Sequence, residues 1–175
     1  MASDGGIFSF GDARFFGSTG ALRLNKPVVG MAPTPTGNGY WLVASDGGIF
    51  SFGDAAFHGS TGALRLNKPV VGMAATPGGG GYWLLATDGG LFSFGDATYH
   101  GSLPGSKITT PAVAMRPTRT GGGYLILTAT GAVVAFGDGP VLGGVPDAVP
   151  GYNGTVVGLE VKAAPEPSGS AQGNR

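Results

Sequence analysis

The chain of 175 residues contains no cysteine. Disulfides therefore cannot hold it together, and thiol chemistry and cysteine-ligated metals are excluded. Charge is also scarce. Only 11% of residues are charged and the formal net charge is zero, so bulk electrostatics give no case for nucleic acid, an anionic membrane or an acidic partner. No apolar run approaches the ~20 residues of a membrane-spanning helix, and membrane insertion is not expected. No basic segment followed by an apolar one opens the chain, so this sequence is read as carrying no signal peptide. It begins in mid-repeat, as a segment of something longer would. The length fits one domain, placed at 1–162. Residues 163–175, AAPEPSGSAQGNR, hold no large apolar side chain and are expected to be a disordered tail or linker.

What the chain has instead is glycine, 36 residues, and proline, 13. There is no Gly-X-Y period, so collagen is excluded. The glycines recur between short apolar runs, as expected for many strands joined by tight turns. One phrase organises the whole: Ser45–Ala55, SDGGIFSFGDA, recurs with its aspartate at positions 4, 46 and 88, a step of 42 residues. A worn copy begins at Thr130 on the same step.

Within each unit four strands are expected. The first is short and small (Val28-Val29-Gly30-Met31-Ala32, with copies at 70–74 and 112–115). After a glycine-rich loop the second is aromatic and branched (Tyr40-Trp41-Leu42-Val43-Ala44, with copies at 82–86 and 124–127), a composition that favours strands. Asp46-Gly47 and Asp88-Gly89 then read as hairpin turns of type I′, with positive φ at both central positions. The third strand is 48–53, with Phe50 and Phe52 in alternation. The fourth is Ala56-Phe57-His58-Gly59. A period near 40–45 residues with four strands is that of a β-propeller blade. The fold expected is therefore all-β, a four-bladed β-propeller. In it the N-terminal strands (7–10 and 14–17) close the ring beside a last first-strand copy at Val156–Leu159, two residues out of step. An arc completed by a second copy is the rival, so the chain is expected to be a monomer or a homodimer.

The residues that could pass for chemistry are mostly explained by the period. Of eight aspartates, seven occupy two repeat positions (4, 46, 88 and 12, 54, 96, 138), where Asp beside Gly shapes turns. His58 and His100 share a position with Phe16 and Leu142, so packing is expected there, and zinc would need three or four ligands. No Gly-x-Ser-x-Gly elbow is served by a histidine, and the glycine runs at 78–81 and 121–123 lack the Gly-Lys-Ser/Thr ending of a phosphate loop. Catalytic residues, metal and cofactors are accordingly read as none. Two sets remain as binding candidates. The repeated rings Tyr40, Tyr82, Tyr124, Trp41 and Trp83, alongside Phe15, Phe57 and Tyr99, could stack on sugars from several blades at once, or else fill the interfaces between blades. Arg23, Lys26, Arg65 and Lys68 could form a basic partner-binding rim, or else lie in solvated loops.

The phrase GYWLVASDGGIFSFGDA, followed by FHGSTGALRLNKPVVGMAATP, resembles a tandem repeat of actinobacterial proteins, often secreted or in the cell wall. The match covers 3–144, and the unit at 111–144 departs from it at Leu125 and Thr130. The resemblance implies a non-catalytic, propeller-like binding or display module outside the cytoplasm. Its partner would be a glycan or cell-wall polymer, or alternatively a protein docked on one face or rim of the ring.

Overall fold

In the computed structural model, which describes residues 1–141 and 143–159, the period is a physical repeat. Nine strands form three separate three-stranded antiparallel sheets. The first holds β1 (Val28–Pro33), β2 (Gly39–Ala44) and β3 (Ile49–Gly53); the second β4 (Val70–Ala75), β5 (Gly81–Ala86) and β6 (Leu91–Gly95); the third β7 (Ala112–Pro117), β8 (Gly123–Thr128) and β9 (Val133–Gly137). A 3₁₀ turn at Pro104–Ser106 and one short helix, α1 (Val145–Ala148), complete the described elements.

Register repeats with the sequence. Tyr40 faces Phe52, Tyr82 faces Phe94 and Tyr124 faces Phe136. Each first strand bulges at the same place, between Val28 and Gly30, Val70 and Gly72, and Ala112 and Ala114. Every residue of the three middle strands is buried, which explains their continuous apolar reading where a half-exposed strand would alternate. The first strands pack against one another in sequence, β1 on β4 and β4 on β7.

Two expectations change. The hairpin after the second strand is not type I′. Among the described residues only Lys107 has positive φ without being glycine, so Asp46 does not. The Gly47 N–H instead bonds the Ala44 carbonyl and the Ala44 N–H returns to Gly48. With Gly47 at φ +79°, this is a type I turn followed by a left-handed glycine, the three-residue hairpin form. Asp46 supports it by accepting the Gly48 N–H at 3.0 Å.

The fourth run, Ala56–Gly59, joins no ladder. Its backbone is held by side chains from two sheets. Trp41 Nε1 donates to the Ala56 carbonyl at 2.7 Å, and the His58 N–H donates to the Tyr82 hydroxyl at 3.1 Å. The N-terminal copies at 7–10 and 14–17 are likewise not strands.

At the two ends, the last first-strand copy forms no strand but keeps one contact of its forerunners. Its Val156 N–H bonds the Ala129 carbonyl, where Val28, Val70 and Ala112 use Ser3, Ser45 and Thr87. The two-residue slip is thus absorbed before Val156. Yet no backbone hydrogen bond among the described residues joins 1–27 to 138–159, and the sheets stay three. The boundary at 162 and the segment 163–175 lie outside the described residues.

Candidate functional site

The candidate rings lie inside the molecule. Trp41 is 1% exposed and Trp83 0%; Tyr40, Tyr82 and Tyr124 are buried too. Their positions on the middle strand put them between sheets. The Trp41 ring lies 5.7 Å from that of Tyr82 in the next sheet, and Trp83 lies 5.7 Å from Tyr124. Each indole N–H is spent on a backbone carbonyl, Ala56 for Trp41 and Thr98 for Trp83. The tyrosine hydroxyls are spent too: Tyr82 donates to the Gly59 carbonyl at 2.6 Å and Tyr124 to Gly101 at 2.6 Å. Burial pushes both tyrosines above their ordinary pKa. Stacking faces for a sugar are therefore not offered by these five rings, and this corrects the ligand role set out for them from sequence.

His58 and His100 take the packing role expected. Their rings sit 5.5 Å from Tyr82 and 5.8 Å from Tyr124. Both Nε2 atoms are buried with no hydrogen-bond partner among the described residues.

Arg23, Lys26, Arg65 and Lys68 are all exposed, at the end of the sheets where first strands begin. The rim they make is mixed in sign and not purely basic. Lys26 shares a groove of about 350 Å³ with Asp4 and Leu22, and a second groove of about 310 Å³ brings Lys26 and Lys68 together with Asp46 and Leu64. At the opposite end the aspartates are clasps. Thr34 donates to Asp54 at 2.8 Å and Thr36 at 2.5 Å; Thr118 and Thr120 do the same for Asp138. These hydroxyl donors hold both carboxyls below the ordinary aspartate value, because hydrogen bonds to the ionised form favour it. Between the sheets, where β1, β4 and β7 end, an open groove of about 480 Å³ is lined by Met31, Met73, Pro77, Arg116 and Pro117.

The exposed apolar residues are others than those favoured. Phe15, Phe57 and Tyr99 occupy one repeat position, and all three project into solvent, Phe57 at 63%. Their neighbours one residue on, Phe16, His58 and His100, turn inward on the tyrosines. The alternation of an extended segment was therefore readable, and it separates the exposed row from the packed one. Phe8 and Phe10 are also exposed, at 65% and 81%.

Among the described residues no group of three or more His, Cys, Asp or Glu could hold a metal. No helix among them is long and apolar enough to cross a membrane. No protein-family model matches the chain, and no curated protein matches it. Among solved structures it is similar to the Cps50 (Swd1) β-propeller domain of Myceliophteria thermophila, at 14% identity and a TM-score of 0.49. That likeness covers 64% of this chain and 38% of the other.

Proposed function

We propose that the chain is a non-catalytic protein-interaction scaffold of propeller-type blades, which presents Phe15, Phe57 and Tyr99 as a row of anchors, one from each of three successive units. The observation that carries this reading is the division of labour among the rings. The inward set is used up on packing and backbone hydrogen bonds, while the outward set repeats with more than half of each side chain exposed. Aromatic anchors dominate protein interfaces, and a row on successive units engages a partner at several points, so that binding is multiplied by effective concentration.

The triple substitution Phe15→Ala, Phe57→Ala, Tyr99→Ala tests it. Affinity capture from the source organism is expected to retain a partner on the parent chain and lose it on the variant. Equal retention overturns the reading. A glycan or cell-wall polymer is the second reading, favoured by the repetition of the row itself; co-sedimentation with isolated cell wall, lost in the same variant, would select it. The extracytoplasmic setting implied by the resemblance belongs to that second reading, and cell fractionation checks it.

The four-bladed ring belongs here too. Support for it is that the two ends carry complementary fractions of one unit: a first-strand copy at Val156–Leu159, and third- and fourth-strand copies at 7–17. A compact monomer by solution mass and scattering is the expected result. A dimer selects the arc completed by a second copy.

A further inference from the structure

Residues 20–27 and 62–69 are the same eight amino acids, GALRLNKP, and each run leads into the first strand of a sheet, β1 and β4. In both copies one leucine turns inward and the other outward. Leu24 and Leu66 are half-buried against core residues, whereas Leu22 and Leu64 are 57% and 60% exposed. Asn25, Lys26, Asn67 and Lys68 are exposed as well.

Each run forms an open groove with the Asp-Gly hairpin beside it. The first groove, about 350 Å³, is lined by Asp4, Leu22, Leu24, Asn25 and Lys26. The second, about 310 Å³, is lined by Asp46, Leu64, Leu66, Asn67 and Lys68. Lys26 lines the second groove too, so the two adjoin there and the charges follow one another as Asp4, Lys26, Asp46 and Lys68. These charges are not spent on each other. Asp4 and Asp46 each use one carboxyl oxygen to accept a backbone N–H, from Gly6 at 2.8 Å and Gly48 at 3.0 Å. Among the described residues no hydrogen bond or ion pair engages either lysine.

The third unit lacks this set. Ser106, Ile108, Thr109 and Thr110 stand where the second has Leu64, Leu66, Asn67 and Lys68. Its junction still forms as the others do. The Ala112 N–H bonds the Thr87 carbonyl at 2.8 Å, as Val28 bonds Ser3 at 2.7 Å and Val70 bonds Ser45 at 2.8 Å. The outward leucine, asparagine and lysine are therefore not needed to build a junction, and they are left over for contact with something else.

We propose that the two grooves form one docking trough for an extended polypeptide segment of a partner protein, in which basic and acidic side chains alternate around apolar ones. Basic side chains meet Asp4 and Asp46, acidic ones meet Lys26 and Lys68, and apolar ones lie on Leu22 and Leu64. Charge complementarity selects this occupant. A polymer of one sign gains from one residue of the trough and is repelled by the next, and like charges brought together suppress a wrong partner. No aromatic ring lines either groove, so a sugar finds no stacking face there. A leucine between opposite charges suits a polypeptide, which carries apolar, acidic and basic groups on one chain. The proposal rests on the scaffold reading and deepens it by naming a partner chemistry. It uses none of the anchors Phe15, Phe57 and Tyr99, so either can fail without the other.

Random dodecapeptides displayed on phage are selected on the full chain, and the best are synthesised and titrated. The counter-target is the variant Leu22→Ser, Lys26→Thr, Leu64→Ser, Lys68→Thr, which carries the third unit's residues. A second variant, Lys26→Gln with Lys68→Gln, changes charge alone. Selected peptides are expected to mix acidic and basic residues around an apolar one. Their affinity is expected to fall about tenfold or more on either variant, with circular dichroism unchanged, and to weaken in about 1 M salt, where exposed charges are screened. The triple variant at Phe15, Phe57 and Tyr99 is expected to bind them as the parent does. No peptide binding up to about 1 mM, selection of peptides of one sign, or equal binding to both lysine variants overturns the proposal. Isolated cell wall that co-sediments with the parent chain but not with the charge variant also overturns it and assigns the trough to a glycan.

Discussion

The Tyr82 hydroxyl donates to the Gly59 carbonyl at 2.6 Å while it accepts the His58 N–H. One side chain of the second sheet thus satisfies two backbone groups that the fourth run cannot place in a ladder. Tyr124 repeats the arrangement at Gly101 and His100. Replacing Tyr82 with Phe leaves those two partly buried groups without partners, at a cost of about 1–3 kcal/mol each at most. Urea denaturation is expected to show the loss, and Tyr124→Phe a similar one.

The same tyrosines set the alkaline limit. Burial raises both above their ordinary value, so the folded state keeps its protons after the unfolded chain has begun to lose them. Stability is therefore full below a pH of about 10 and falls as pH rises from there through the raised folded value. The double variant Tyr82→Phe, Tyr124→Phe is expected to start less stable but to decline less steeply over that window in pH-dependent melting.

The carboxylates set the acid limit with the opposite sign. Asp54 and Asp138 are held below the ordinary aspartate value by their threonine donors. Their contribution is present above the ordinary aspartate value and is lost as pH falls through the depressed folded one. Asp54→Asn and Asp138→Asn are expected to flatten the acid limb of a melting-temperature profile.

The middle unit has half of this clasp. Thr76 donates to Asp96 at 2.8 Å, but Gly78 stands where the flanking units have Thr36 and Thr120. A Cβ at Gly78 would meet only Asp96 Oδ2, at 3.9 Å. Gly78→Thr is therefore expected to stabilise the chain by about 1 kcal/mol, by adding a second donor and by restricting the unfolded chain. A denaturation midpoint that does not rise removes this account.

Gly59 shows the reverse. Its φ is +132°, and a Cβ there would lie 2.5 Å from the ring of Phe94. Gly59→Ala is expected to cost more than 1 kcal/mol, roughly the scale of a substitution whose native conformation is incompatible, with a lower melting temperature as the readout.

The strands and their step were legible because both rest on local pattern: apolar runs, Asp-Gly turns and a period without slippage. The fourth run was misread because its composition suits a strand while its hydrogen bonds come from Tyr82 and Trp41, which are distant in sequence. The role of Trp41 and Trp83 was left between sugar stacking and filling the interfaces for a related reason. Period and composition place a ring on a middle strand but do not decide whether the next sheet covers it. A signal was present in Leu125. Trp41 packs on Tyr82 and Trp83 on Tyr124, each 41 residues on; counting the same distance from Leu125 reaches Glu166. Tryptophan is absent where the tyrosine it would meet is absent. The exposed row Phe15, Phe57 and Tyr99 was not separated from the inward rings, although alternation with His58 and His100 carries the distinction.

Gly47 lies so close to Thr61 that a Cβ on it would sit 1.7 Å from the threonine Oγ1, and Gly5 meets Thr19 in the same way. In the third unit Leu103 presses on Gly89 instead. Each hairpin is thus keyed to the connector that leads into the next sheet, and keys of the same shape are interchangeable. A 42-residue cassette cut between Ala21 and Ala63 carries one complete lock and one complete key, so the fit of hairpin to connector is kept when a whole cassette is duplicated or removed.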